Sequence, residues 1–266
     1  MQQWEINTFS GAFIAFFIST CLFFCQSVSS QWEKLANYTA LLGFFFNTLT
    51  IVFRVINSNY FPITNIYEFG IFFIWFIVLI FLILTYYHKI KIGVIILPIT
   101  LILTGIISSF YQVSNPIIPE LKSNWLVVHV LSAVVAYGSF AVSFAFSVIY
   151  LWKNEIQDSR IVKLLPPLNI IEEYLHKSIF FAMPFLTLVI ITGSIWAEYV
   201  WGTYWQWDPK ETWSLITWLI YAIYIHGKVV KNWRGTKLAI WSVLGFIFMI
   251  ATFILVNILL PGLHNY

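Results

Sequence analysis

Charge is scarce in this sequence. Asp, Glu, Lys and Arg together make up 9% of its 266 residues, against about a quarter in a soluble domain. That deficit excludes a water-facing globular surface and leaves no stretch for a separate soluble domain. Cysteine is scarcer still. Cys21 and Cys25 are the only two, four apart in an apolar run, so they share a helix face. They read as two small buried apolar residues rather than a redox pair. A Cys-x-x-Cys-His motif is absent, which excludes a covalently attached c-type haem on this chain. The first residues, MQQWEINTF, lack the basic segment of a cleavable signal peptide, so the first apolar run is expected to be retained. The net charge is only +3 and its basic residues sit in short loops, so it gives no sign of nucleic acid, and no nucleic-acid partner is expected.

What is present is apolar. Hydrophobic residues make up 60% of the chain and aromatic residues 20%. Runs of about 20 apolar residues recur along the whole length, each long enough to cross a bilayer. The expected fold is an all-α integral membrane protein, a single polytopic domain over 1–266 without internal repeats. About eight transmembrane helices are expected, near 8–26, 36–54, 65–86, 93–110, 125–152, 178–199, 211–227 and 237–258. An even number of spans puts both termini on one side. Eleven of the fourteen Lys and Arg residues then fall in one set of loops, and only Arg54, Lys122 and Lys210 in the other. The positive-inside rule assigns the basic set to the cytoplasm or stroma. Both termini and the 55–64, 111–124 and 200–210 loops are expected to face the periplasm or lumen.

The outward 200–210 loop opens the stretch WGTYWQWDPKETW, residues 201–213, with four tryptophans in thirteen residues. Part of it has a local explanation. Asp208 suits the N-cap of the following helix, Pro209 its first position and Glu211 the reciprocal place of a capping box. Trp and Tyr also favour membrane interfaces. Those two effects do not account for Trp196, Trp201, Trp205, Trp207 and Trp213 with Tyr199 and Tyr204 at one mouth. Such a cluster suits a large, flat, apolar ligand that stacks on rings.

The histidines sharpen this. By the same topology His129, at the outer end of span five, and His264, after span eight, lie on the side of the aromatic cluster. Two imidazoles flanking aromatic rings suggest haem with one His on each axial face, because neutral imidazole suits iron. The competing reading of each is an interfacial residue with its polar tip in the headgroups. His226 lies at the inner end of span seven, roughly 26 Å deeper than the Asp208 cap at 1.5 Å per residue. His88 and His176 sit beside lysines on inner loops and are expected to be plain loop residues. Lys210 and Arg54 are the outer cations able to meet haem propionates, with headgroup contact an equal alternative for Lys210 and the favoured reading of Arg54. Glu68, near the outer end of span three, fits either a functional or an interfacial role.

Residues 196–226, WAEYVWGTYWQWDPKETWSLITWLIYAIYIH, resemble the tryptophan-rich "WWD" segment of the haem-handling proteins. Within them the chain is most similar to the CcsA (ResC-like) family of System II cytochrome c biogenesis. FPITNIYEF (61–69), PELKSNWLVVHV (119–130) and PGLHNY (261–266) resemble further segments of that family. The resemblance implies that His129 and His264 are axial ligands of an outer haem. It makes Trp201, Gly202, Tyr204, Trp205, Trp207 and Asp208 the platform beneath it. It also makes His226 a third metal ligand, at an inner site completed by a membrane partner, the ResB-like subunit CcsB. The implied function is to deliver haem b across or to the outer face and present it to the Cys-x-x-Cys-His of apocytochromes c. No catalytic residue is assigned. The implied setting is a plastid thylakoid membrane with both termini lumenal, or alternatively a bacterial inner membrane.

Two other functions compete on the residues alone. A b-type electron-transfer membrane cytochrome also uses bis-His haem, but with both ligands inside crossing helices, and His264 lies outside any span. A solute transporter predicts unpaired charges in mid-span, and none stands out.

Overall fold

A computed structural model describes residues 1–26, 30–58, 60–114, 116–156 and 160–259. Among them the secondary structure is entirely helical. Helices α1 (Gln2–Cys25), α2 (Ser30–Ser58), α3 (Ile66–Tyr86) and α4 (Gly93–Ser108) come first. They are followed by α5 (Asn124–Glu155), a short α6 (Arg160–Leu164), α7 (Leu168–Trp201), α8 (Pro209–Val229) and α9 (Thr236–Ile250). A π-helical turn, Ala251–Leu255, leads from α9 into α10 (Val256–Leu259).

The reason for this uniformity is the solvent. In hydrocarbon every backbone N–H and C=O must find a partner within the protein, and a helix satisfies them locally. Several buried hydroxyls obey the same constraint. Thr20, Thr100 and Thr104 each donate to the carbonyl one turn back, at 2.8, 2.8 and 2.7 Å, a habit of Ser and Thr inside apolar helices.

All eight expected spans correspond to helices. Six of them are long and apolar enough to cross a membrane by length and composition. The other two are α4, an apolar helix of 16 residues, and α8. The latter carries polar and charged residues at both ends, including Lys210, Glu211, His226 and Lys228.

The chain divides into two compact units. The first holds Met1–Pro116 and Trp152–Ile170, the second Ile117–Leu151 and Ile171–Tyr266. In the first unit α1 lies along α2 and α4, and α3 packs on α2 and α4. Its helix ends are tied by a buried ion cluster centred on Arg54. The guanidinium of Arg54 donates to Glu68 Oε1 at 2.8 and 3.0 Å, to Glu5 Oε1 at 3.3 Å and to the Gln112 carbonyl at 2.8 Å. These partners belong to α1, α3 and the chain just after α4, so one residue of α2 joins all four helices. Arg54 is thereby not the headgroup-facing cation expected from the sequence: it and both carboxylates are no more than 1% exposed. Glu68 also accepts from Tyr60 Oη and from the backbone N–H and hydroxyl of Thr64. Its role here is to hold the 60–65 turn against the start of α3.

Cys21 and Cys25 correct another expectation. Both lie on the exposed face of α1 rather than in its packed face, and both are free thiols.

In the second unit the packing centre is Tyr221 on α8. Its ring stacks on Phe140 of α5 at 3.7 Å between centroids and 8° between planes. Gly245 of α9 admits that ring: a Cβ at 245 would stand 2.6 Å from Tyr221 Cζ. Phe144 stacks on Phe246 at 4.3 Å, and Trp218 Nε1 donates to Thr187 Oγ1 at 3.0 Å, joining α8 to α7.

Candidate functional site

The tryptophan-rich segment begins at the C-terminal end of α7 and closes on the cap of α8. The expected capping box is present. Asp208 accepts from the Lys210 N–H at 2.9 Å, and Glu211 Oε2 accepts from the Asp208 N–H at 3.1 Å. Glu211 Oε2 also accepts from the Gln206 N–H at 2.9 Å, so one carboxylate folds 206–208 back onto the helix. Asp208 is buried by this arrangement. Its place in the site is to fix the backbone that carries its tryptophan neighbours.

Two residues of the loop have positive φ: Gly202 at +73° and Trp207 at +58°. The first is glycine's ordinary role, because open space surrounds it and the backbone conformation alone calls for Gly. The second is unusual. A bulky side chain in the left-handed region is an outlier and costs on the order of 1–3 kcal/mol, a cost concentrated at ligand clamps and active sites. The capping box over-determines that backbone and holds Trp207 outward, 69% exposed.

The rings do not form one flat shelf. Trp205 and Trp207 stand edge to face, at 5.7 Å and 89°, and Trp196 and Trp201 at 4.9 Å and 70°. Trp196 is buried and its Nε1 donates to the Glu120 carbonyl at 3.1 Å. Trp213 stacks on Phe248 of α9 at 5.5 Å. Trp196 belongs to the packed core, and Trp213 is half-buried against α9. Tyr199, Tyr204 and Trp207 are the exposed rings, with Trp201 and Trp205 half-buried.

His129 comes to this segment through α7. Its Nδ1 lies 2.8 Å from the Val189 carbonyl oxygen. A carbonyl only accepts, so Nδ1 carries the proton and Nε2 the lone pair, the arrangement of a metal-ligating imidazole with a backbone partner behind it. Gly193 packs against the same ring. Trp196 is three residues beyond Gly193 in α7, about 4.5 Å further along the helix axis, so the seat of the imidazole lies about one turn before the buried first ring of the segment. Lys210 stands on the first turn of α8, ahead of the apolar span 211–227. Burial draws its ammonium down to about 8, against the opposing pull of Asp208.

His226 is elsewhere. It is exposed on α8, on one stripe with Leu219, Ile223 and, just beyond the helix, Val230. An exposed imidazole near the charged end of α8, beside Lys228, is open to a lipid headgroup, a ligand or another chain. His264 lies outside the described residues. Among those described, no cluster of three or more His, Cys, Asp or Glu forms a ready metal cage.

His176 is the histidine that sequence reasoning passed over. It is not on a loop but inside α7, buried. Nδ1 bonds with the Tyr224 hydroxyl, and Nε2 stands 3.3 Å from Glu172 Oε1. Glu172 in turn lies 3.6 Å from Lys228 and accepts from the Gly235 N–H at 3.4 Å. The four-residue spacing of Glu172 and His176 was the available signal. The chain's own fold satisfies both nitrogens, so this network reads as a lock between the N-terminal part of α7 and the C-terminal part of α8.

Comparison with known proteins follows the same residues. A family model for cytochrome C assembly protein matches residues 63–264. A cytochrome c biogenesis protein CcsA from Cyanophora paradoxa is 33% identical over 315 aligned positions, covering 99% of this chain and 97% of that one. The protein of that name from Trieres chinensis is 34% identical over 249 positions and 80% of each chain. In Chlamydomonas reinhardtii the figures are 33% over 217 positions, 79% of this chain and 62% of the relative. The solved structure of a cytochrome c heme lyase CcmF superimposes with a TM-score of 0.69 at 15% identity. That match covers 95% of this chain and 46% of the larger one, and at that identity the likeness is one of fold.

Proposed function

The chain belongs to the cytochrome c assembly family, among the CcsA proteins, and on that premise we propose that it holds haem at its outward face for attachment to apocytochrome c. It is an all-α integral membrane protein of c-type cytochrome biogenesis, and its relatives give it a plastid context. The finer reading is a thylakoid protein with both termini in the lumen, working as one subunit of a synthase with a ResB-like partner, CcsB.

The observation that carries the haem reading is His129. Its Nδ1 bond to the Val189 carbonyl puts the lone pair of the neutral ring on Nε2, the nitrogen a metal would take. The seat of the ring lies about one turn before a segment whose loop is held in strain. An imidazole seated against the helix that leads into a tryptophan-rich loop fits an iron porphyrin better than a hydrated cation. In this reading His129 is one axial ligand and His264 the other, the latter resting on the family resemblance. Trp201, Tyr204, Trp205 and Trp207 pack against the macrocycle, Gly202 and Asp208 shape the loop beneath it, and Lys210 meets a propionate. A carboxylate there offsets the same desolvation that lowers the Lys210 ammonium.

Haem b is the cargo, and its vinyl groups supply the chemistry: the two acceptor thiols add across them to form thioethers. The chain's own part is to bind, orient and release. Two imidazoles occupy both axial positions until the acceptor's own His displaces one. The two thiols of this chain lie in α1, so keeping the acceptor's cysteines reduced falls to other proteins.

His226 carries a second part of the proposal. Its exposed stripe on α8 suits a partner helix bearing the other ligand of an inner haem, from which the outer site is filled.

The test is the absorption spectrum and haem content of the chain purified with its ResB-like partner. His129→Ala is expected to deplete haem, with partial restoration by added imidazole. An unchanged spectrum and haem content would remove His129 as a ligand and leave the rings as interfacial anchors. Transfer of the bound haem to an apocytochrome separates this reading from a b-type electron carrier.

A further inference from the structure

The geometry of α7 points to a seat for the His129 ring, and we propose that Gly193 and the Val189 carbonyl form it and set which ring nitrogen is offered to iron. This rests on the reading of His129 as a haem ligand and adds two positions to it.

A helix carbonyl is normally screened by its own turn. The residue four positions on lies directly above it, and its Cβ leans back over it. For Val189 that residue is Gly193. Without a side chain there, the carbonyl of Val189 is open on one flank, and the imidazole of His129 occupies that flank at 2.8 Å. The fit is tight. A Cβ at 193 would stand 2.8 Å from both Cε1 and Nδ1 of His129 and 3.9 Å from Cγ. Carbon atoms do not approach that closely, so even alanine at 193 pushes the ring off the carbonyl.

Glycine at this place has no conformational reason. It lies inside α7 with ordinary helical geometry, where alanine is the better helix former. What it supplies is room. The carbonyl supplies the tautomer: as an obligate acceptor it receives a hydrogen bond from Nδ1–H, and the lone pair of the neutral ring stays on Nε2. A second partner on a ligating imidazole also orients it and raises its basicity. Gly193 is thus a positioning residue, acting through His129 and touching no cargo itself.

Gly193→Ala, expressed as the full chain with its ResB-like partner, tests the seat. The expected result is a shift of bound haem from a six-coordinate low-spin spectrum toward a high-spin one, with the low-spin bands restored by added imidazole. Gly245→Ala is the packing control, because its Cβ crowds Tyr221 to 2.6 Å without reaching His129. It is expected to keep the low-spin spectrum of whatever haem it retains. A wild-type spectrum in Gly193→Ala overturns the seat. So does an equal loss in both glycine variants that imidazole does not restore, since that marks lost packing. If His129→Ala also leaves the spectrum unchanged, the ligand reading itself fails. Ring-15N histidine labelling of the haem-free wild-type chain gives a second measurement, with His129 assigned by difference against His129→Ala. Protonation at Nδ1 is expected. Protonation at Nε2 overturns the proposal even where Gly193→Ala fails to accumulate.

Discussion

Tryptophan has two different jobs within a few residues of one loop, and burial separates them. Trp196 is 2% exposed and hydrogen-bonded to the Glu120 carbonyl. Trp207 projects outward from a strained backbone. Trp196→Ala is expected to cost about 3–5 kcal/mol of stability, as other buried aromatic truncations do. Trp207→Ala removes an exposed ring and is expected to change stability by under about 0.5 kcal/mol. It should still weaken haem retention by roughly 0.5–1.5 kcal/mol beyond lost burial. Detergent-unfolding midpoints and haem titration of the two variants check this. Equal destabilisation with unaltered haem binding would reduce Trp207 to an interfacial anchor.

At the scale of helices, two polar devices hold apolar elements in place. The first is the Asp208–Glu211 box, which starts α8 and folds Gln206–Asp208 onto it. Asp208→Ala is expected to cost about 0.5–2 kcal/mol, felt as faster amide exchange in the first turn of α8 and in 206–208. Unchanged protection there would mean the loop is held by its rings alone. The second device is the Arg54 cluster. Its three charged side chains are removed from water, where a pair is costly to form and costlier to break. Arg54→Ala leaves two uncompensated carboxylates and is expected to cost about 3–5 kcal/mol. Adding Glu68→Gln removes one of those charges and should recover part of the loss. A double variant less stable than the single would show that Glu68 acts through its Thr64 and Tyr60 bonds and not through its charge.

Across the whole molecule, orientation in the bilayer ties the haem reading together. The eleven-to-three division of Lys and Arg predicts the 200–210 loop outward and the 230–237 loop inward. In a chain with Cys21 and Cys25 replaced, Thr203→Cys is expected to react with an impermeant thiol reagent from the outward side only. Lys231→Cys should react from the inward side only. Labelling of both from one side would separate His129 from the acceptor cytochrome and end the model of outward presentation.

The helices themselves were legible because hydrocarbon leaves the backbone one local solution, repeated eight times along the apolar runs. The capping box was legible for a similar reason: Asp208, Pro209 and Glu211 act within one turn of each other. What sequence reading missed lay between helices. Arg54 finds its carboxylates 49 and 14 residues away in the chain, and His176 finds Tyr224 48 residues on. Those pairings depend on how each helix is rotated about its axis. A helix apolar on every side carries little information about rotation, which is also why Cys21 and Cys25 were expected to be buried. The tryptophan cluster was visible as composition, but edge-to-face rings rather than a flat shelf followed from loop backbone and packing. So did the seat of His129: only the tertiary fold brings a glycine-opened carbonyl of α7 against a histidine 60 residues earlier.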